Sequence, residues 1–309
     1  MNVLIVGLGS IARKHIAALR SLEPEVQIYA LRSTRFSNSV DGVTDLFSMK
    51  EVEEYSFDFA IISNPTSEHQ KTIQQMGVLN IPLFIEKPLS HQLDVKETVV
   101  EIERKNVLTY VACNLRFLDA LLFTKQYIAG SSLRINEINV YCGSYLPSWR
   151  GEGVDYTMNY SAIPELGGGV HIDLIHEIDY IYWLCGTPSY TQRIFSCSSS
   201  LGIKSYDYAN YCLCYDDYHV SIILNYYRRD ARRSLEIVCE GETIYVDLLE
   251  NCVSIDGEIA FRSSQRIADT YQLQLAYFLD CLRVSIDGEI AFRSSQRIAI
   301  NVLQICLES

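Results

Sequence analysis

The sequence predicts an α/β protein with an N-terminal doubly wound parallel sheet and a C-terminal α+β domain with a mostly antiparallel open sheet. Over residues 1–118, short apolar runs alternate with helix-length amphipathic segments, which is typical of βαβ units. From residue 190 to residue 261, apolar runs with alternating polarity follow one another directly, which indicates antiparallel pairing. We therefore predict two domains, residues 1–118 and 119–309.

Composition restricts the class of function. The chain has 309 residues, of which 48% are hydrophobic, and a net charge of −12. The length allows two domains with separate cores, and the negative charge disfavours nucleic acid as a partner. No apolar run approaches the roughly 18 residues of a membrane span, and no charged signal-peptide region is visible. We expect a cytoplasmic protein without a membrane partner, and its ten cysteines are expected to be reduced.

A glycine-rich turn separates the first strand from the first helix. The apolar run Asn2–Val6 is followed by Gly7-Leu8-Gly9-Ser10-Ile11-Ala12 and then by a helical pattern that ends near Leu22. This G-x-G-x-x-A fingerprint suits a dinucleotide: the first glycine permits the turn, and the second lets the pyrophosphate approach the helix N-terminus. We therefore predict a Rossmann domain that binds NAD or NADP through Gly7, Gly9, Ser10 and Ile11.

The second strand, residues 26–31, ends in basic and hydroxyl residues. An acid at this place binds the ribose 2′-hydroxyl of NAD, whereas arginine and hydroxyl groups suit the 2′-phosphate of NADP. We therefore favour NADP over NAD and assign Arg32, Ser33 and Arg35 to the cofactor. Loss of a contact from Arg32 should weaken NADP binding by roughly 1.5–3 kcal/mol. The alternative is that both arginines are only surface charges.

Three further strands, residues 57–63, 83–85 and 107–113, are predicted in the parallel sheet. Ligands of such sheets bind at the C-terminal ends of the strands. The second of these strands ends in Glu86-Lys87-Pro88. We therefore expect Asn64, Pro65, Glu86 and Lys87 to contact the cofactor.

The pattern changes after about residue 118. A helix at residues 120–129 precedes a long alternating strand, residues 134–145, and a loop rich in aromatic residues. We expect Arg116, Trp149, Arg150, Tyr156 and Tyr160 to shape the substrate pocket, because arginine suits a carboxylate, a phosphate or an acidic sugar. Ordinary packing is the alternative for the aromatic side chains. Helices are also predicted at residues 271–283 and 298–307, and one face of the antiparallel sheet is available for a second subunit.

The stretch of residues 167–186, GGGVHIDLIHEIDYIYWLCG, begins with three glycines, and the residues after them are predicted to form one helix. Asp173, His176, Glu177 and Tyr180 share one side of this helix at the spacing i, i+3, i+4, i+7. No Lys or Arg occurs from residue 151 to residue 192, so we expect cations from elsewhere in the chain to meet these acids. A solvated polar face is the alternative. We expect no metal, because no cysteine or second histidine completes a ligand set.

Five motifs follow one another along the chain: Gly7-Leu8-Gly9-Ser10-Ile11, Asn64-Pro65-Thr66 with His69, Glu86-Lys87-Pro88, Asn114-Leu115-Arg116-Phe117, and Gly167-Gly168-Gly169 with Asp173, His176 and Asp179. In this order and spacing, they resemble the motifs of the glucose–fructose oxidoreductase, inositol dehydrogenase and MocA (Gfo/Idh/MocA) family over nearly the full chain. The resemblance implies a Rossmann domain with an open α/β domain, oxidation of a sugar or cyclitol hydroxyl (or reduction of the carbonyl), and a homodimer or homotetramer. It places the catalytic residues on Lys87, Asp173 and His176. Many members have four residues between the aspartate and the histidine, whereas here His176 follows Asp173 by three positions. A related branch has the same shorter spacing, Asp-x-x-His-Glu.

The expected chemistry is hydride transfer coupled to proton transfer. His176 is the natural proton carrier because the ordinary pKa of histidine is about 6.5. Asp173 would orient His176 or hold a substrate hydroxyl, and Lys87 would polarise the carbonyl oxygen or share the proton transfer. We predict that Lys87 lies within about 10 Å of Asp173 or His176.

Two alternative functions remain on this fold. The first is a regulator that senses NAD(P) without catalysis, and the presence of all three catalytic candidates argues against it. The second is an enzyme that uses the nicotinamide transiently for elimination or glycoside cleavage. Net turnover of the cofactor distinguishes this second alternative from a dehydrogenase.

Sixteen residues, VSIDGEIAFRSSQRIA, occur twice without a change, at 253–268 and at 284–299. Structural repeats drift, so this identity indicates a recent duplication or a fault in the sequence record, which an intact-mass measurement would decide. Asp256-Gly257 between alternating apolar residues predicts a hairpin in the sheet for residues 254–261. For residues 285–292 we predict a surface loop or an isolated turn, because any difference must come from tertiary context.

Overall fold

The computed structural model describes residues 1–35, 39–149, 151, 153–286 and 294–307. These residues form two compact units. The first unit contains Met1–Ala112 and Tyr271–Leu303, and the second contains Cys113–Thr270 and the described residues from Gln304 onwards.

The described residues form strands and helices that alternate in the first part of the chain and then give way to a run of strands. In chain order, the strands are β1 (Asn2–Val6), β2 (Gln27–Leu31), β3 (Val43–Leu46), β4 (Phe59–Ile62), β5 (Leu83–Ile85), β6 (Thr109–Val111), β7 (Ile135–Tyr145), β8 (Tyr190–Ser196), β9 (Tyr208–Cys214), β10 (His219–Asn225), β11 (Tyr227–Cys239), β12 (Thr243–Asp247), β13 (Cys252–Ile255) and β14 (Glu258–Arg262). The helices are α1 (Ser10–Leu22), α2 (Met49–Val52), α3 (His69–Leu79), α4 (Val95–Arg104), α5 (Asp119–Ala129), α6 (Val170–Asp173), α7 (His176–Cys185), α8 (Thr270–Ile286) and α9 (Ser294–Leu307). None of these described helices is long and apolar enough to cross a membrane.

The first unit is built on a parallel sheet with the described strand order β3-β2-β1-β4-β5-β6. Strand β1 pairs in parallel with both β2 and β4. The strand order therefore reverses between β1 and β4, since β2 and β3 lie on one side of β1 and β4, β5 and β6 lie on the other. This order confirms the doubly wound parallel sheet, and it puts a ligand crevice beyond the C-terminal ends of β1 and β4. Strand β3 and the short helix α2 were not predicted.

Helix α8 belongs to the first unit, although we expected both C-terminal helices in the second domain. The ring of Phe278 lies 5.1 Å from the ring of Phe59 and 5.4 Å from the ring of Phe84, in edge contacts. Leu275 and Leu279 are buried in the same core. The apolar side of α8 thus covers the parallel sheet, so the chain returns to the first unit after residue 270.

The second unit contains a sheet with the described strand order β14-β13-β12-β11-β7-β10-β9-β8. All described pairs are antiparallel except β10 with β7. This confirms a mostly antiparallel sheet. Helices α5 and α6 contact its strands, α5 at β12 and β13 and α6 at β9 and β10.

The single helix predicted for residues 167–186 is wrong, because two short helices, α6 and α7, occupy this stretch. The interruption falls at Leu174, whose φ of −99° and ψ of 28° leave the helical region. On the two sides of the interruption, the side chain of Asp173 is hydrogen-bonded to Tyr226 and that of Glu177 to Arg233. Tertiary bonding therefore sets the backbone at this point, and Asp173 ends one helix while His176 begins the next.

The repeated segment adopts two different structures. In the first copy, β13 and β14 form a hairpin whose turn residues Asp256 and Gly257 have φ of 50° and 87°, as a type I′ turn requires. Because β13 also pairs with β12, the predicted hairpin in the sheet is confirmed. In the second copy, the loop prediction is wrong at residues 285 and 286, which continue helix α8, and residues 287–292 lie outside the described residues.

Candidate functional site

The glycine-rich turn after β1 has the geometry that a dinucleotide requires. Gly7 has a φ of +86°, and a Cβ on it would lie 2.6 Å from the Cα of Asn64, so only glycine fits there. Gly9 is the N-cap of α1, and a Cβ on it would meet no atom of the described residues within 4 Å, so open space lies before the helix. Gly9 has no side chain that could cap the backbone N–H groups of this first turn. A pyrophosphate placed there would accept hydrogen bonds from them.

The two arginines after β2 differ in their surroundings. Arg32 is 7% exposed, and its Nη1 donates to Oδ2 of Asp45 at 2.8 Å. The side chain of Arg35 is 71% exposed, its guanidinium lies 4.3 Å from the ring centre of Phe47, and a carboxylate oxygen of Glu51 is 3.7 Å away. Arg35 therefore presents its charge to solvent, whereas the charge of Arg32 is balanced within the unit.

Lys87, at the end of β5, is half-buried and lies between two hydrogen-bonded residues. Before it, Oε1 of the buried Glu86 is 2.5 Å from Nε2 of His15. After it, the carbonyl oxygen of Pro88 is 2.9 Å from Nδ1 of His69. Burial alone would raise the pKa of Glu86, but the hydrogen bond and charge of His15 hold that pKa below its ordinary value. Glu86 is therefore a carboxylate.

In the second unit, Asp173 meets a tyrosine that was not predicted as a site residue. The hydroxyl of Tyr226 donates to Oδ2 of Asp173 at 2.5 Å. Trp149 packs edge-on against the same Tyr226 ring at 5.3 Å, and its Nε1 donates to the hydroxyl of Ser144 at 3.0 Å. The structure thus brings together one catalytic candidate and one predicted pocket residue. The only sequence signal for Tyr226 was its position at the end of a predicted strand.

The acids of α7 are paired with arginines from other elements. Arg233 on β11 donates to both carboxylate oxygens of Glu177, at 2.5 and 3.1 Å, and Glu177 is fully buried. Arg116 donates to both oxygens of Asp179, at 2.9 and 2.6 Å. Of the acids on the predicted polar face, Glu177 meets a cation from elsewhere as expected, whereas Asp173 is hydrogen-bonded to Tyr226. The pairing also shows that Arg116 anchors α7, in addition to any contact with substrate.

The remaining predicted site residues are distributed as follows. The hydroxyl of Tyr156 donates to the carbonyl of Leu201 at 2.9 Å, which indicates a packing role, and Tyr160 is 38% exposed. His176 is half-buried at the start of α7. Arg150 lies outside the described residues. Among the described residues, no group of three His, Cys, Asp or Glu side chains is arranged to hold a metal ion.

Lys87 belongs to the first unit, and Asp173 and His176 belong to the second. Their convergence on one cleft therefore stays a prediction.

The parallel sheet with its glycine turn defines the class of the first unit: an NAD-binding Rossmann fold. Residues 1–113 match the family described as "Oxidoreductase family, NAD-binding Rossmann fold". This stretch, 113 of the 309 residues, matches the model of the Gfo/Idh/MocA family.

Similarity to individual proteins is distant in sequence and extensive in fold. The rhizopine catabolism protein MocA of Rhizobium meliloti is 24% identical over 62% of this chain, and the match spans 59% of that protein. An oxidoreductase of Thermotoga maritima is 19% identical with a TM-score of 0.83, covering 100% of this chain and 96% of the other. A myo-inositol dehydrogenase of Corynebacterium glutamicum is 16% identical with a TM-score of 0.77, covering 99% and 94%. The WlbA dehydrogenase of Bordetella pertussis, in complex with NADH and UDP-GlcNAcA, is 16% identical with a TM-score of 0.79, covering 99% and 93%.

Proposed function

We propose that the protein is an NAD(P)-dependent oxidoreductase that transfers a hydride between the nicotinamide and a hydroxyl or carbonyl of a sugar, sugar acid or cyclitol. The observation that carries this proposal is the hydrogen bond from Tyr226 to Asp173, which lies three residues before His176. The same chain has a glycine turn that suits a dinucleotide. Among the similar structures, the myo-inositol dehydrogenase and the WlbA dehydrogenase in complex with UDP-GlcNAcA support the substrate class.

In the proposed reaction, the bound nicotinamide supplies or accepts the hydride. Gly7, Gly9 and the first turn of α1 would hold the pyrophosphate. His176 would carry the proton of the reacting hydroxyl, and Asp173 would hold His176 or a neighbouring hydroxyl in place. Lys87 would stabilise the developing charge on the oxygen. The pocket would be shaped by Trp149, Tyr160, Arg116 and Arg150.

We favour NADP as the cofactor, with Ser33 and Arg35 at the 2′-phosphate, because Arg35 faces solvent while Arg32 is paired with Asp45.

We also propose a homodimer or homotetramer through the second sheet. The edge strand β8 exposes 59% of Tyr190 and 63% of Ile194, and exposed aromatic and aliphatic groups are common in interfaces. Sedimentation of the purified protein measures this directly.

The decisive experiment combines cofactor binding with a substrate panel. NADPH and NADH are titrated by fluorescence, and NADP⁺ reduction is then followed with sugars, sugar acids and cyclitols. We expect net reduction with at least one class, and its loss in Lys87→Met and in His176→Asn, with cofactor binding retained in His176→Asn. Binding without net turnover on any member of the panel would instead favour a sensor or a transient use of the nicotinamide.

A further inference from the structure

Two buried histidines of the first unit contact the residues on either side of Lys87. His15, on α1, is fully buried, and its Nε2 lies 2.5 Å from Oε1 of Glu86. His69, which begins α3, is 1% exposed, and its Nδ1 lies 2.9 Å from the carbonyl oxygen of Pro88. The lysine backbone is therefore bracketed by two imidazole contacts from two different helices.

The carboxylate that contacts His15 also contacts Lys87. The second oxygen of Glu86, Oε2, accepts a hydrogen bond from the backbone N–H of Lys87 at 3.2 Å. Since Glu86 is buried and its pKa lies below the ordinary value, it is a charged acceptor in a water-poor place. Hydrogen bonds to a charged group are stronger than neutral ones. His15 thus orients the carboxylate that in turn orients the peptide group of Lys87.

The second contact connects Lys87 to the dinucleotide turn. Nε2 of His69 lies 3.0 Å from the carbonyl oxygen of Asn64, and Asn64 is the residue that packs against Gly7. Each ring nitrogen of His69 thus lies at hydrogen-bond distance from a backbone carbonyl oxygen, one after Lys87 and one beside Gly7. On the other side, His15 lies on the helix that begins directly after Gly9. Both histidines therefore link Lys87 to the elements that flank the glycine turn.

Packing alone does not explain this arrangement. The ring of His15 does pack edge-on against Phe84, at 5.1 Å, as an apolar side chain could. An apolar side chain there would leave Glu86 as a buried charge without its imidazole partner, which is strongly unfavourable. The pair His15–Glu86 is thus a specific polar contact inside a core.

We propose that His15 and His69 are positioning residues, which fix the backbone of Lys87 relative to the dinucleotide turn. This inference rests on the proposed function, in which the amine of Lys87 acts on the substrate oxygen next to the nicotinamide. Neither histidine touches the reacting atoms in this proposal. Their effect on turnover passes through the position of Lys87.

The test compares four variants with the wild type. His15→Leu and His69→Leu remove the imidazole contacts, and His15→Gln keeps an N–H that reaches Glu86. Ile16→Val is the matched control, because Ile16 is 3% exposed on the same helix and belongs to the apolar core. Should His15→Leu not fold, the double variant His15→Leu/Glu86→Gln removes the buried charge together with its partner.

The first readout needs no substrate: the acylation rate of each lysine amine is measured by peptide mass spectrometry, with the other lysines as internal standards. We expect the relative rate of Lys87 to change by about threefold or more in the leucine variants, while His15→Gln and Ile16→Val stay near the wild type. With a substrate found in the panel, kcat should fall about 10- to 100-fold in the leucine variants at unchanged KM, because misplacement of a reacting group costs this much.

Equal Lys87 acylation rates in the leucine variants and in Ile16→Val would overturn the proposal. A changed rate in a protein that turns over no sugar, sugar acid or cyclitol would uphold the positioning role and refute the proposed function instead. The two hypotheses therefore fail separately.

Discussion

The hydroxyl of Tyr226 donates to Oδ2 of Asp173 at 2.5 Å, and both side chains are buried. Burial and the neighbouring Asp173 raise the pKa of Tyr226 well above its ordinary value, so the phenol stays a neutral donor at every working pH. The carboxylate of Asp173 is therefore fixed in orientation at the end of α6. This bond joins a candidate catalytic acid to the chain segment between β10 and β11.

Replacement of Tyr226 by phenylalanine should lower kcat/KM without loss of cofactor binding. Removing one hydrogen bond to a charged group costs about 1.5–3 kcal/mol, which corresponds to a decrease of roughly 10- to 100-fold. Steady-state kinetics on a substrate from the panel measures the effect. Tyr211→Phe is the control, because the buried Tyr211 donates to the carbonyl of Cys306 instead of to an acid. An equal loss of activity in both variants would show that the Asp173 bond has no special role.

Removing one partner of the Glu177–Arg233 ion pair should lower stability more than removing both partners. Glu177 is fully buried and the side chain of Arg233 is 14% exposed, so removal of either partner leaves a charge with little water. We expect Arg233→Met to lower the free energy of unfolding by about 3–5 kcal/mol. The double variant Arg233→Met/Glu177→Leu should recover most of this loss. Urea denaturation of the wild type and both variants measures the coupling, and additive losses would contradict the prediction.

The two arginines after β2 should respond differently to replacement by alanine. Arg35→Ala should weaken NADP binding by about 1.5–3 kcal/mol and leave NAD binding unchanged, because only the 2′-phosphate carries the additional charge. Arg32→Ala should mainly lower stability, because it leaves Asp45 without the guanidinium that donates to it. Fluorescence titration with both cofactors separates the two effects. Equal affinities of the wild type for NADP and NAD would remove the basis for a 2′-phosphate site.

Acidification should destabilise the second unit through His171. Burial lowers the pKa of His171 to about 4, whereas the unfolded chain titrates near 6.5. The unfolded state therefore binds the proton first, and stability falls as the pH decreases from about 6.5 towards 4. Between pH 8 and pH 5 this histidine should account for a loss of about 2 kcal/mol.

The control for this prediction is His171→Phe, since the ring of His171 packs among aromatic side chains, including Phe195 at 5.1 Å and Tyr206 at 5.3 Å. Urea denaturation at both pH values should show a smaller decrease for the variant than for the wild type. The same decrease in both proteins would assign the pH dependence to other groups, such as His69, whose pKa burial also lowers.

The sequence was sufficient to predict both sheets, because apolar periodicity and the glycine turn are local signals. It also predicted that the acids on one side of residues 173–180 would meet cations from elsewhere, which holds for Glu177, because their own neighbourhood contains none. It could not identify the partners Arg233 and Tyr226, since these contacts join residues 56 and 53 positions apart. The interruption at Leu174 and the packing of α8 on the parallel sheet were missed for the same reason: long-range contacts decide them, and propensity does not.

The duplicated sixteen residues have a consequence for how the chain reaches its fold. The sequence that forms β13 and β14 beside β12 exists a second time at residues 284–299, where its described ends are helical. During folding, β12 thus meets two chemically identical competitors for one edge of the sheet, which differ in their distance along the chain and in their flanking residues. The nearer copy has the shorter loop to close and so the smaller entropic cost. Refolding from denaturant should therefore populate a minor, kinetically trapped isomer, which a charge placed in the second copy at Ile290 would suppress.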